Sequence, residues 1–197
     1  MPYCTNQSIL DLIPEVDLSA FGDQYALADT LTEIAGAASD DVDAMCRRTF
    51  VPPTQAAEKV FDGDGTSLMF VPDLLRLDSL SVNGTVQPGA RAYPSSGPPY
   101  AWIATGYRFP AGAGNVHVTG LWGFGDAVPT TVARATACLG AAEVLSRLQA
   151  QRGQGASAQV MGLAREEYPD GGPWSERIDD LRSTAGRLLV PYRRLMR

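Results

Sequence analysis

Three groups of residues in this sequence have types and spacing that could do chemistry. Asp62-Gly63-Asp64-Gly65 sets two carboxylates close together on a flexible stretch, as the start of a Ca²⁺ loop would. His117, the single histidine, could act as a base or a metal ligand. Cys4, Cys46 and Cys138 are thiols, any of which could be a nucleophile. Their surroundings complete none of these. The Asp pair lacks further oxygen ligands and the Glu six residues beyond the glycine that an EF-hand loop uses, so a polar β-turn is favoured. His117 lies between Val116 and Val118 in an alternating pattern, which turns it away from the apolar side, and no metal or triad partners accompany it. The cysteines are odd in number, widely spaced and without C-x-x-C, and read as reduced thiols of a cytosolic protein. The P-loop, G-x-S-x-G and H-E-x-x-H patterns are absent. Gly120-Leu121-Trp122-Gly123-Phe124-Gly125 follows no nucleotide-binding spacing and runs into Asp126, an acid that would repel phosphate, so it is a sharp exit from a strand. An enzyme built on Asp62, Asp64 or His117 is therefore disfavoured, and neither cofactor nor metal is expected. Trp102, Tyr107 and Trp122 could stack on a small ligand or carbohydrate, although filling the core or a subunit interface is the commoner use of such aromatics.

The chain has 197 residues, enough for one structural unit with a sizeable insertion. Its formal net charge of −6 argues against affinity built on neutralising nucleic-acid phosphates. The charge is uneven: residues 1–75 hold thirteen acids and three bases, so the remainder is mildly basic, and two surfaces with different partners are expected. Lys59 is the only lysine. No basic leader followed by an apolar run opens the sequence, and no stretch has the roughly 18 apolar residues of a membrane span, so a soluble, unexported chain is expected.

The elements that would position these residues follow from periodicity. A short helix is expected over Ser8–Ile13, stopped by Pro14. Leu27, Leu31, Ile34, Ala38, Val42 and Met45 recur at helical steps and predict a helix from about Asp23 to Phe50. Asp40, Asp41 and Asp43 fall largely off the stripe, Arg47 and Arg48 lie in its last turn, and Pro52-Pro53 closes it. Burying the large apolar side chains of this stripe would contribute roughly 6–12 kcal/mol before chain entropy, so the helix needs a partner face. From about Ala57 to Trp122 the period becomes alternating. Lys59–Phe61 and Ser67–Val71 are expected to form a hairpin across the Asp-Gly turn. Leu77–Val82 turns at Asn83-Gly84 into Thr85-Val86, and Tyr100–Thr105 and Asn115–Leu121 add two strands. Tyr93–Pro99 cannot hold a central strand. Val128-Pro129-Thr130 opens a helix carrying Val132, Ala135, Leu139, Ala142, Leu145 and Leu148 to about Arg152. Gly153–Ala158 has linker composition. A last helix over Ser175–Leu189 places Ile178, Leu181, Ala185 and Leu188 on one face and ends at Pro191. The fold class is thus α+β: a core of two long helices and a C-terminal helix with an inserted small antiparallel β region. It divides as 1–56, 57–125 and 126–197.

Three segments in order resemble the adaptor family of phage head-tail connectors. Ala37–Phe50 is similar to that family's small-residue helix ending in Arg-x-Phe. Asn115–Gly125 followed by Val128-Pro129 resembles its strand, glycine-rich exit and second long helix. Leu188–Leu195 resembles its terminal L-x-P-Y-R ending. The likeness runs from about Asp23 to Arg197, without counterparts for Tyr93–Pro99 and Gly153–Pro173. It implies a ring of about twelve copies, joined to the portal above and to a stopper or tail-terminator protein below, around a channel through which DNA passes without specific binding. It implies a place in the virion neck, assembly in the host cytoplasm, no membrane, and docking to the portal by a C-terminal segment: Leu188, Leu189, Pro191, Tyr192, Arg193, Arg194 and Leu195. If many copies surround DNA, Asp40, Asp41 and Asp43 would give a negative wall that does not grip phosphates. A stopper or other tail-completion protein is the alternative, and strands with little helix would favour it.

Overall fold

The structure, a computed structural model, describes residues 2–51, 53–97, 99–156 and 173–194. It contains four α-helices and a six-stranded antiparallel sheet, the α+β class expected. The chain forms two compact units: Met1–Arg47 with Pro129–Arg197, and Arg48–Val128. Both ends of the sequence thus build the helical unit.

In that unit α1 spans Asn6–Leu10. It begins earlier than Ser8 because the Thr5 side chain accepts the Ser8 N–H as N-cap, and it stops three residues before Ile13. Helix α2, Gln24–Cys46, is capped by Asp23, whose carboxylate accepts the N–H groups of Tyr25 and Ala26. It ends at Arg47, which is left-handed (φ 55°) and returns its N–H to Asp43 O. The helix therefore stops short of Phe50, and neither Arg47 nor Arg48 lies in its last turn. Its buried face is Leu31, Ile34, Ala35, Ala38, Ser39, Val42 and Cys46, while Leu27 is half-buried and Met45 exposed. The face widened toward Ala35 and Ser39 because the N-terminal segment covers it: Tyr3 N–H donates to Ser39 Oγ at 3.0 Å, and Ser39 Oγ–H to Ala35 O at 2.7 Å.

Helix α3, Thr130–Ala156, is the centre of the unit and packs against all three other helices. Its expected stripe is buried except for Leu139, which is half-buried. Thr136, Ala137, Cys138, Gly140, Ala141 and Val144 are buried as well, because a helix surrounded by neighbours buries side chains all round its axis. At Gly140 an added Cβ would lie 2.7 Å from Ile9 Cδ1, so the missing side chain is what admits α1. The helix runs through Ala156, which overturns the linker expected from Gly153. Interior glycines cost a helix only about 1 kcal/mol each. Residues 157–158 of that stretch lie outside the described residues. Helix α4, Ser175–Leu189, buries Ile178, Leu181, Ala185 and Leu189, with Leu188 half-buried where it was expected on the core face. Pro191 sits in a 3₁₀ turn, Val190–Tyr192, that prolongs the helix.

The sheet of the second unit has β1 (Ala57–Gly63), β2 (Leu68–Val82), β3 (Thr85–Val86), β4 (Arg91–Tyr93), β5 (Tyr100–Ala104) and β6 (Gly112–Trp122), in the order β1-β6-β2-β5-β4 with β3 on β2. The expected hairpin of β1 with β2 is overturned, since β6 lies between them and pairs with both. The loop after β1 bonds instead to a distant residue: Gly65 N–H donates to Phe109 O and Phe109 N–H to Thr66 O. The expected strands over Ser67–Val71 and Leu77–Val82 merge into the one strand Leu68–Val82, whose register shifts between Leu74 and Arg76 and between Leu77 and Ser79. The Asn83-Gly84 turn forms as expected, with φ of 50° and 76°. The core is Met69, Val71, Leu74, Leu80, Val82, Ile103, Phe109, Val116, Val118 and Trp122.

Gly120 faces Ala57 on one side and Leu77 on the other, and a Cβ there would lie 2.2 Å from Arg76 O. Gly120→Ala should cost roughly 1–3 kcal/mol, read as a lower urea midpoint with unchanged slope. An unchanged midpoint would mean that the β2 irregularity shifts to make room.

Candidate functional site

The terminal arm is partly core and partly surface. Leu189 is 0% exposed and belongs to the interior of the helical unit. Leu188, Tyr192 and Arg194 are half-buried, Pro191 and Arg193 are exposed, and Leu195 lies outside the described residues. Arg194 N–H donates to Cys46 O at 3.0 Å, which satisfies one of the carbonyls left open at the end of α2. The arm is thus tied back onto the helix whose sequence ends in the first of the three family-like motifs.

The three motifs meet in pairs. Beyond α2, the Arg48 guanidinium carbon stands 5.3 Å from the centre of the Phe124 ring, and Phe124 packs at 5.2 Å against Phe50, which is fully buried. Arg48 Nη1 also lies 3.5 Å from Asp73 Oδ1. Arg48-Thr49-Phe50 and Gly123-Phe124-Gly125 are therefore two halves of one packing cluster, with the Gly123 N–H donated to Asp73 O at 2.8 Å.

The three carboxylates singled out on α2 differ in surroundings. Asp40 is exposed on the ridge opposite the buried face, in line with Asp29 and Glu33. Asp41 lines a groove with Glu143, Arg147 and Arg182. Asp43 accepts the Tyr3 hydroxyl at 2.6 Å and is half-buried. Arg147 holds this side of the unit together, with Nε 3.0 Å from Glu143 and Nη2 3.1 Å from Glu33, and their hydrogen bonds raise its pKa further.

The chemistry-bearing residues are engaged locally. Asp62 Oδ1 accepts the Gly114 N–H at 2.6 Å, and Asp64 Oδ1 accepts both the hydroxyl and the N–H of Thr66, which holds its carboxyl below the usual 3.8. His117 Nδ1 is 3.0 Å from Glu58 Oε1 on the solvent side of the sheet, the orientation the alternation predicted. Burial pushes the Cys4 thiol up to about 11 and raises Cys138 as well. Among the described residues no group of three or more His, Cys, Asp and Glu converges as a metal set, and no helix is long and apolar enough to cross a membrane. The three aromatics weighed as a ligand platform are not brought together. Trp122 is 8% exposed in the core, donating its Nε1–H to Ala57 O, with the Lys59 ammonium 4.4 Å from its ring centre. Trp102 is half-buried on the opposite side of the sheet, and Tyr107 is exposed in the β5–β6 loop.

The sequence reading missed what surrounds Trp102. The register aligns Phe70, Trp102 and Tyr93 in one row across β2, β5 and β4, and Leu68, Ala104 and Arg91 in another. The row between them, Met69, Ile103 and Ala92, points into the core, so the outer two face solvent. Phe70 is 41% and Leu68 43% exposed, and Phe70 meets Trp102 edge to face at 5.1 Å. The signal was present in Leu68-Met69-Phe70-Val71, which is apolar in both phases of the alternation.

No protein-family model matches the chain, and no curated protein matches it by sequence. Solved structures do share its fold. A chain in the neck of an empty GTA particle, computed with C6 symmetry, aligns with a TM-score of 0.51 at 16% identity, covering 98% of this chain and 90% of that one. A chain in the virion of a native gene transfer agent (GTA) particle aligns with a TM-score of 0.52 at 15% identity, covering 100% of this chain and 91% of that one. At such identity the likeness is one of fold.

Two measurements check the local assignments. At pH 8 the native protein should react slowly with a thiol reagent and rapidly in denaturant; fast native labelling would show an activated cysteine. The Asp64 carboxyl should titrate below 3.8 by NMR, and Thr66→Val should move it upward. Because the folded value is depressed, whatever stability this contact lends is present above the unfolded pKa and lost as pH falls through the folded one.

Proposed function

We propose that this chain is a structural subunit of the neck of a tailed phage or phage-derived particle. It works as an adaptor ring between the portal of the head and the tail or its stopper, and it is not an enzyme. The observation that carries the reading is the fold likeness, over nearly the whole length of both chains, to a subunit of the neck of a gene transfer agent particle. The order of the three sequence motifs supports it independently. The four helices favour an adaptor over a stopper, for which strands with little helix were expected.

In this reading the helical unit builds the ring wall and the terminal arm docks on the portal. Pro191, Tyr192 and Arg193 present the proline, aromatic and arginine character suited to an interface anchor, with Leu188, Arg194 and Leu195 beside them. Leu189 supports the arm from inside the unit. Asp40 and Asp41, both exposed, are the acids of this trio able to line a DNA path, since Asp43 is bonded to Tyr3. Duplex would then pass a wall that repels its phosphates without specific binding. A closed ring of about twelve copies is compatible with the sixfold symmetry applied to the neighbouring neck. The assembly would form in the host cytoplasm and stay at the head-tail junction.

Electron microscopy of the purified protein mixed with portal rings of the same genome should show a collar on the narrow end of the portal, and its symmetry gives the copy number. Absence of a collar with both components folded would overturn the adaptor assignment. Deleting Val190–Arg197, which leaves Leu189 in the core, should abolish portal binding while preserving the circular-dichroism spectrum. Full binding by the folded truncation would remove the arm as the anchor.

A further inference from the structure

We propose that the outward face of β2, β5 and β4 is where a second copy of this chain docks, through the acidic exterior of that copy's helical unit. This deepens the ring reading and rests on it for closure and copy number.

Leu68, Phe70, Trp102 and Tyr93 form an apolar patch, three strands wide, on the solvent side of a sheet whose core is already complete on the other side. The adjoining loop carries Tyr107, 76% exposed. Aromatic side chains with an arginine at the margin are the composition of a protein contact. Phe70 and Trp102 meet edge to face, inclined at 66°, and so offer no shared flat platform.

Charge selects the occupant. Residues 79–125 contain no acidic residue, and their two arginines, Arg91 and Arg108, lie on the strand and loop that bear the patch. Residues 1–47 contain nine acids and one base, and Glu15, Asp17, Asp29 and Asp40 are all exposed. One chain therefore carries both a cation-rimmed apolar surface and an acidic one. Two unlike surfaces on the same molecule specify a head-to-tail contact, which closes into a ring when the rotation allows. The complementary charges bring copies together and fix orientation, and the aromatic row is what the contact buries.

The test uses full-length protein and two readouts: sedimentation velocity over a concentration series, and the portal-nucleated collar. Phe70→Ser and the pair Arg91→Glu with Arg108→Glu should each weaken self-association about tenfold or more. They should also replace a closed collar by isolated subunits on the portal, with circular dichroism unchanged. Charge reversal at Asp29 and Asp40, or at Glu15 and Asp17, should weaken association alone and restore it when that variant is mixed with the arginine-reversed one. Rescue by either acidic set supports the contact; rescue by the Asp29 and Asp40 set would also move Asp40 from the channel wall to the subunit junction. A closed collar formed by Phe70→Ser, or no rescue by either set, overturns the proposal. So does a collar that stays closed but loses its lower partner, which would assign the patch to that partner. A wild-type protein that neither self-associates nor forms a collar overturns it too. Self-association without portal binding would sink the neck reading and leave this contact standing.

Discussion

Burial of α3 all round its axis is the constraint on which the helical unit depends. A helix can accept neighbours all round only if its side chains are small where the neighbours come close. Ala135, Ala137, Gly140, Ala141 and Ala142 meet that requirement, while Val132, Leu145 and Leu148 fill the wider gaps. The arrangement also sets the order of the chain. Helices α1 and α2 come from before the β region, and α4 from after α3, so the helical core is complete only when both ends of the sequence have arrived. The hydrogen bond from Arg194 to Cys46 is the last link of that closure, joining the end of the chain to the end of α2.

The long elements were legible in the sequence because their signals are local. Asp23 before an apolar period marks the start of α2, Pro129 before an alanine-rich run marks the start of α3, and Asn83-Gly84 dictates its own turn. What failed was whatever depended on distant partners. Asp62–Gly65 has the chemistry of a hairpin turn, and no local feature announces that β6, some fifty residues later, will insert between β1 and β2. Likewise, helical period counted Leu188 and Met45 as core. Burial went instead to Leu189 and Cys46, because the positions of neighbouring helices decide which edge of a stripe is covered.

The site was legible to different degrees. The terminal arm stood out through its proline, tyrosine and arginines, and Leu189, one of the residues expected to dock, is buried in the core. The acidic character of α2 was evident, while its division among exposed, grooved and hydrogen-bonded carboxylates needed Tyr3, Arg147 and Arg182 in three dimensions. Arg48, Phe50 and Phe124 appeared as fragments of two motifs, and folding makes them one cluster. The outward row of Phe70, Trp102 and Tyr93 could not be assembled from sequence, since it requires the registers of three strands at once.

These differences share a physical origin that bears on function. Asp64 is held down by a neighbouring threonine, Cys4 and Cys138 are raised by burial, and Asp43 is bonded to a tyrosine. Each of these groups is engaged where it stands, in a turn, in the interior or in a brace. Among the described residues the surfaces left over include an acidic ridge, an aromatic sheet face and an arm carrying Arg193, chemically unlike one another. In the neck reading proposed above, surfaces of this kind would meet other macromolecular surfaces, where the energy of contact is spread over area. In that reading, the packing that engages Asp43, Asp64 and the cysteines inside the subunit leaves the outward acids and aromatics for contacts with other subunits.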